Sequence, residues 1–426
     1  MKKRIFISTL LLTGAMMLSS CGTNDNIQNI DEPVTVATNE ISSNDNSYGS
    51  SNEANIFGAY NDFVCSSLKP VLVNTDSENV NPVYSPLSVY MAFSLAAESA
   101  YGDTQKDFLD VLGASDIEDL RNTNAELYKK LSFSDNDNAD LTLANSLWFN
   151  SDCPFKVDDS AVDSISEKYK AAAFYIHCAT DPDAGKEISN WISENTNHMI
   201  KPDVQTSPDD ILRIINAIHF KDSWYDNFKE SNNIKANFTN SDNKETECTF
   251  LSGHFETNAA KCNGYTLCEL KMLNGFKMTF ALSDENSSLK EMLDDEEKMN
   301  RILNGTDDLK TYNVNIQLPK FDVKSKYDLL KTADDMGIPI TGDYSSFYTD
   351  EGAECISKII HEAAVNVDEN GCEAAAYTEV VLEKCDEIQL STDSFDFILD
   401  RPFFYNVTDE NGTSVICGAV NDPSKN

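Results

Sequence analysis

The segment ILRIINAIHF, residues 211–220, restricts the possible folds of this 426-residue chain more than any other. It is an almost continuous apolar run, broken only by Arg213, Asn216 and His219, and it leads into Lys221, Asp222, Ser223 and Trp224. A run of this length and composition predicts a strand covered on both faces. The chain must therefore build a sheet with other layers packed against either side.

The rest of the chain supplies those layers. Ile56, Tyr60, Phe63, Val64 and Leu68 recur at helical spacing, and Pro70 is expected to close that helix. Ser85 and Pro86 start a mostly apolar helix that Gly102 ends, and Thr104 is expected to cap a second helix bearing Phe108, Leu109 and Leu112. LTLANSLWFN and AAAFYIHCAT read as strands, and DAGKEISNWISENTNHMI reads as a helix. Later segments read as strands: YTLCELKML, FKMTFAL, VNIQLPKFDV, HEAAVNVDE and a final pair joined by an Asn411–Gly412 hairpin turn. Helices crowd the first half and strands the second, which argues for an α+β fold.

The N-terminus has the pattern of an export signal. Lys2, Lys3 and Arg4 precede an apolar run from Ile5 to Leu18 that is short for a membrane span, and Ser19 and Ser20 lead to Cys21. LSSC resembles a bacterial lipobox, so residues 1–20 are expected to be a lipoprotein-type signal and Cys21 the lipidated residue; an ordinary cleaved signal is the alternative. Residues 21–54, rich in Asn, Ser, Asp and Thr, read as a disordered polar tether, leaving residues 55–426 as the folded domain. The protein is thus expected to be exported, either lipid-anchored at a bacterial cell surface or secreted.

A formal charge of −38 argues against nucleic acid as a partner, because phosphates need a basic surface. It favours solubility and faster encounter with basic partners. The eleven cysteines are scattered and do not outline a disulfide framework.

Enzymatic motifs are missing. His177, His198, His219, His254 and His361 form no HExxH, Cys262 and Cys268 lie too far apart for paired zinc spacing, and there is no GxSxG, P-loop or GxGxxG. No metal, cofactor or catalytic residue is expected. A Cys385/His361 nucleophilic pair is conceivable, but Glu383, Asp386 and Glu387 around Cys385 would raise its thiol pKa.

ENGCEAAAYTEVVLEKCDE, residues 369–387, combines two characters. Cys372, Ala374, Ala376, Thr378, Val380 and Leu382 alternate with Glu373, Tyr377, Glu379 and Glu383 in the two-residue period of a strand. Yet its Ala-rich centre is a poor strand former and EKCDE reads as exposed loop.

In order along the chain, NPVYSPLSVYMAFSLAAESAYGDT, LANSLWF, ISNWISENTNHMI, IINAIHFKDSW, LPKFDV, VNVDENGCEAAA, DRPFFYNV and GAVNDP resemble the serpins over nearly all of residues 55–426. The resemblance implies helices packed around three β-sheets, with a large central sheet and an exposed reactive-centre loop at about 369–392. It implies no enzyme, but a serine protease inhibitor that acts as a suicide substrate: the loop is cut and inserts into the central sheet as an added strand, trapping the protease in a covalent 1:1 complex. Inserting about fourteen residues at about 3.3 Å each would carry the protease roughly 45 Å. The register from Cys372 to Leu382 is expected to enter without burying charge, the Glu residues pointing outward.

Further roles follow from the same resemblance. Glu369, Gly371, Cys372, Glu373, Ala374, Ala375 and Ala376 match the hinge. Ser85, Ser88, Asn216 and His361 match the shutter cluster under the central sheet. Trp224, Lys320 and Glu369 match the breach where the loop first enters, with a Lys320–Glu369 ion pair bracing the hinge. Pro402 and Phe403 are expected in the core near the C-terminal strands. Two residues depart from the family pattern: Cys372 stands where inhibitory members have Thr or Ser, and Tyr377 is bulky, though on the outward register. Loop length places the scissile bond at Cys385–Asp386, implying elastase-like or chymotrypsin-like targets, possible host enzymes among them; a register shorter by one makes it Lys384–Cys385 and the target trypsin-like. A cut after Val381 or Leu382 is a weaker elastase-type alternative. The protein is expected to act as a monomer that meets a membrane only through its lipid. A non-inhibitory surface-binding member is the other reading.

Overall fold

The computed structural model of the chain describes residues 50–72, 80–134, 139–306, 308–338, 341–349, 358–372 and 393–425. Cys21, the signal, most of the tether and residues 373–392 lie outside the described residues, so the expectations for Glu373, Ala374, Ala375, Ala376, Lys384, Cys385 and Asp386 do too. In chain order the first elements are α1 (Ser50–Leu72), β1 (Val83–Tyr84), α2 (Pro86–Ser99), α3 (Gly102–Leu112), α4 (Ile117–Leu131), β2 (Phe133–Ser134), β3 (Asp140–Asn150), α5 (Asp159–Tyr169), β4 (Ala171–Ile176), α6 (Ala184–Asn195) and β5 (Leu212–Ser223). They are followed by β6 (Ile234–Thr239), β7 (Glu245–Lys261), β8 (Tyr265–Lys271), β9 (Lys277–Ser283), α7 (Leu289–Leu293), α8 (Glu296–Asn304), β10 (Lys310–Pro319), β11 (Phe321–Asp328) and α9 (Leu329–Asp335). The last are β12 (Lys358–Val367), β13 (Gly371–Cys372), β14 (Ser394–Ile398), β15 (Phe403–Thr408) and β16 (Ser414–Val420).

The apolar run does form a strand covered on both faces. β5 is buried from Leu212 to Phe220 and sits inside a seven-stranded sheet of order β11-β12-β13-β5-β3-β2, with β4 also on β3. Its Leu212, Ile214, Ile218 and Phe220 belong to the main core, while Ile215 joins a separate apolar cluster with Trp148, Ile176, Ile188 and Ile192, the last two from α6. α2 packs between this sheet and β16 of the other, and every one of its residues is buried. Ser85 caps it by accepting from the Ser88 N–H, and Pro86 occupies the first turn, where its missing N–H costs nothing.

The second sheet has nine strands in the order β1-β16-β15-β9-β8-β7-β10-β14, with β6 on β7. Two halves share the long β7, so the second and third sheets of the expected fold are hydrogen-bonded into one. β7 was not legible in the sequence because it is partly exposed along most of its length. VNIQLPKFDV is two strands: β10 pairs with β7 and β14, and after Pro319 the chain crosses into the seven-stranded sheet as β11 on β12.

Three local expectations change. Pro70 lies inside α1, whose last turn is kept by the buried Val71 and Leu72; α1 also begins at Ser50, upstream of the expected domain boundary. Gly102, at φ +59°, starts α3 instead of only ending α2, and the Thr104 hydroxyl accepts from the Asp343 N–H and caps no helix. The Asn411–Gly412 pair sits in a longer loop closed by Asp409 N–H to Thr413 O (3.1 Å), with only Gly412 in the left-handed region. The cysteines among the described residues are free thiols. Phe403 is fully buried.

Candidate functional site

The seven-stranded sheet contains a seam. β5 and β12 run parallel and pair directly only at Arg213–Ile215 with Lys358–Ile360. At the far end β13 lies between them, antiparallel to both: Cys372 is paired with Val367 on β12 and Asp222 on β5, and Gly371 with Ser223. Between these two levels, Asn216–Lys221 and His361–Asn366 face each other across one strand position with no direct pairing. Among the described residues no strand fills these six positions; β5–β12 pairing closes one end, and β13 marks the other, open end.

The closed end is held by polar groups. His361 is 2% exposed, and its Nε2 accepts from the Ser85 N–H (3.1 Å). The remaining proton is therefore on Nδ1, which donates to Ser88 Oγ (3.3 Å). Ser88 Oγ donates in turn to Asn216 Oδ1, Asn216 Nδ2 to Asn145 Oδ1 (2.6 Å), and Asn145 Nδ2 to Tyr169 O (3.0 Å). One directional chain thus joins α2, β12, β5, β3 and the end of α5. A second proton on the imidazole would break it, and burial pushes the His361 pKa down to about 3. Ser85, Ser88, Asn216 and His361 come together as the sequence suggested. Asn145 was missed, although LANSLWF contains it, because an Asn in a strand gives no local sign of its cross-strand partner.

The open end is built around Trp224, 2% exposed. Its Nε1 donates to Asp368 O (2.9 Å) and its backbone N–H to Asn370 O (2.8 Å). The Phe228 N–H donates to Glu369 O (3.1 Å). The turn from β12 to β13 is closed by Asp368 N–H to Gly371 O (3.1 Å). Lys320 Nζ lies 2.5 Å from Glu369 Oε1, and Asn233 Nδ2 donates to the same oxygen. Partial burial works to raise the Glu369 pKa, but the Lys320 and Asn233 bonds outweigh it and hold the carboxylate below its ordinary value. Lys320 reaches this point because it stands where the chain crosses from β10 to β11. Asn233 was another residue the sequence did not reveal.

Gly371 is fixed by space. A Cβ there would lie 2.2 Å from Asp222 O and 2.7 Å from Ser223 Cα, so only glycine allows β13 to approach β5 this closely. Cys372 is buried at 2% exposure and belongs to the main core, and it occupies its position without adding charge.

The family model "Serpin (serine protease inhibitor)" matches residues 59–423. The chain belongs to the serpin family. Serpin-ZX of Arabidopsis thaliana is 27% identical over 381 residues, covering 84% of this chain and 96% of that protein. Human neuroserpin is 26% identical over 370 residues, covering 81% and 87%. The crystal structure of Serpin48, "a highly specific serpin in the insect Tenebrio molitor", is similar with a TM-score of 0.75 and 26% identity, over 88% of this serpin and 100% of that chain. Native tengpin, a thermophilic serpin, gives a TM-score of 0.75 at 25% identity, over 87% and 94%. Serpins are in general protease inhibitors, and this serpin shares their fold over most of its length.

Proposed function

We propose that this serpin inhibits serine proteases as a suicide substrate. The observation that carries the reading is the six-residue seam, with Gly371 and Cys372 already paired at its open end. Continuing the antiparallel register from Cys372 would set Ala374 opposite Phe220, Ala376 opposite Ile218 and Thr378 opposite Asn216. Small uncharged residues would then face the main core, and Thr378 would meet the Ser88–Asn216–His361 group. The stretch Glu373–Thr378 fits the seam without parting any existing β5–β12 pair.

In the proposed reaction the protease serine Oγ attacks the carbonyl of Cys385. The Cys385–Asp386 bond breaks, Asp386 leaves with a new amino group, and an acyl ester joins Cys385 to the protease. The loop end attached to β13 then enters the sheet, and the displaced acyl-enzyme is caught before water hydrolyses it. Cys at the bait position suits elastase-like or chymotrypsin-like pockets; cleavage at Lys384–Cys385 instead would make the target trypsin-like. The charge of −38 favours cationic proteases, including those of a host, and such association should slow as salt is added. Export and anchoring through a lipid on Cys21 would place the inhibitor where it meets them.

The test mixes the full chain with neutrophil and pancreatic elastase, chymotrypsin and trypsin, followed by denaturing gels and mass measurement of the released C-terminal peptide. A detergent-resistant adduct with a peptide starting at Asp386 is expected, and one starting at Cys385 would move the bait to Lys384. Cleavage by all four without an adduct, and no rise in thermal stability on nicking, would favour the non-inhibitory reading.

A further inference from the structure

Asp222 is an unusual residue for its place. It is 1% exposed, lies next to the open end of the seam, and its carboxylate is surrounded by neutral donors: Ser223 N–H (2.8 Å), Asn274 N–H (3.2 Å) and Asn274 Nδ2 (2.9 Å). Burying a carboxylate is costly unless several donors converge on it. Here three do, and two of them come from the turn between β8 and β9 in the other sheet.

The same turn grips β5 through its backbone. Leu273 N–H donates to Ser223 O (2.9 Å), Tyr225 N–H to Lys271 O (2.9 Å), and Trp224 forms a bridge with Met272. On its other side the end of β5 carries β13, with Cys372 paired to Asp222 and Gly371 to Ser223. The last residues of β5 are therefore held between the β8–β9 turn and the start of the loop. Asp222 joins the two sides: its side chain bonds to Asn274 of the turn, and its backbone is the strand partner of Cys372.

We propose that Asp222, through Asn274, is the positioning residue that fixes the register in which the loop enters the seam. It rests on the inhibitor reading above and names a residue for it. Strand pairing has a side-chain period of two, so a slip of one residue would turn Ala374, Ala376 and Thr378 away from the core and direct Glu373 and Tyr377 into it. The pairs already made, Gly371 with Ser223 and Cys372 with Asp222, decide the register of every later pair. Anchoring the end of β5 to a turn of the other sheet keeps these pairs fixed while the strands below them part.

The test cuts the loop of the full chain with papain, which needs no match to the natural target, and follows the rate at which a heat-resistant form appears. Asp222→Ala and Asn274→Asp each remove the tie, the second by opposing two carboxylates. Each is expected to slow the conversion about tenfold, the loss of one or two bonds to a charged group. The exchange Asp222→Asn with Asn274→Asp restores one carboxylate facing one amide and is expected to recover most of the rate. A merely structural role would lower the thermal stability of the uncut variants and leave the conversion rate of the folded fraction unchanged, which would overturn the proposal. So would equal slowing in the exchanged pair. Wild-type protein that gains no heat resistance on cutting would overturn the inhibitor reading itself, and the positioning role with it. The isosteric Asp222→Asn serves where Asp222→Ala does not fold.

Discussion

Asn216 and His361 stand level with each other, one residue past the last pair that β5 and β12 make, and Ser88 on α2 bonds to both. They are the nearest groups to the point where the two strands would have to separate.

This arrangement requires a neutral His361 and predicts a pH dependence. In the unfolded chain the imidazole titrates near ~6.5, and in the fold burial moves it down to about 3. As pH falls, the unfolded state takes up the proton first. The stability that His361 contributes is therefore complete above the unfolded value and is lost as pH drops toward the folded one. Urea midpoints measured from pH 7 to 4 should fall by more in the wild type than in His361→Gln. Parallel curves for the two proteins would assign the acid sensitivity elsewhere.

The Lys320–Glu369 contact, with Lys320 partly exposed, is expected to contribute about 1 kcal/mol after screening, but at a sensitive place. Glu369→Lys sets two ammonium groups against each other and should speed hydrogen exchange at Val367–Cys372 with little change in the global unfolding midpoint. The double exchange with Lys320→Glu should reverse most of this effect. Equal exchange rates in all variants would leave the pair without a role at the hinge.

Gly371→Ala introduces a Cβ that meets backbone atoms on both Asp222 and Ser223, which cannot rotate aside. β13 should leave the sheet, exposing the Gly371 and Cys372 amides. Amide protection factors report this directly, and retained protection at Cys372 would contradict it.

Glu379, outside the described residues, gives a test of the expectation that the loop can enter without burying charge. If the register of Cys372 continued, Glu379 would come opposite Ile215, which lies in the apolar cluster of Trp148, Ile176, Ile188 and Ile192 beneath α6. The outward face would not then keep it in water, because α6 covers that face. An unpaired carboxylate there would cost several kcal/mol. Glu379→Ala should therefore speed conversion of the cut chain by at least about tenfold, and Glu379→Gln by less. No change with either would mean that α6 moves away before Glu379 arrives.

The sequence by itself determined what depends on local pattern and composition: the buried character of β5, the helical run from Pro86, the C-terminal strands, and the order of motifs that gave the family. It also brought Ser85, Ser88, Asn216, His361, Trp224, Lys320 and Glu369 to notice as separate points. Only the tertiary structure decided what depends on pairing across distance. Asn145 and Asn233 carry no local signal, because their roles come from partners 71 and 136 residues away. Pro70 reads as a terminator until the packing of Val71 and Leu72 outweighs one missing hydrogen bond. The seam itself has no signature in sequence, since alternation can show that a strand has two faces but not which neighbour leaves a place beside it. The physical reason is the same throughout: side-chain period is a property of a segment, whereas register and coverage are properties of the segments it meets.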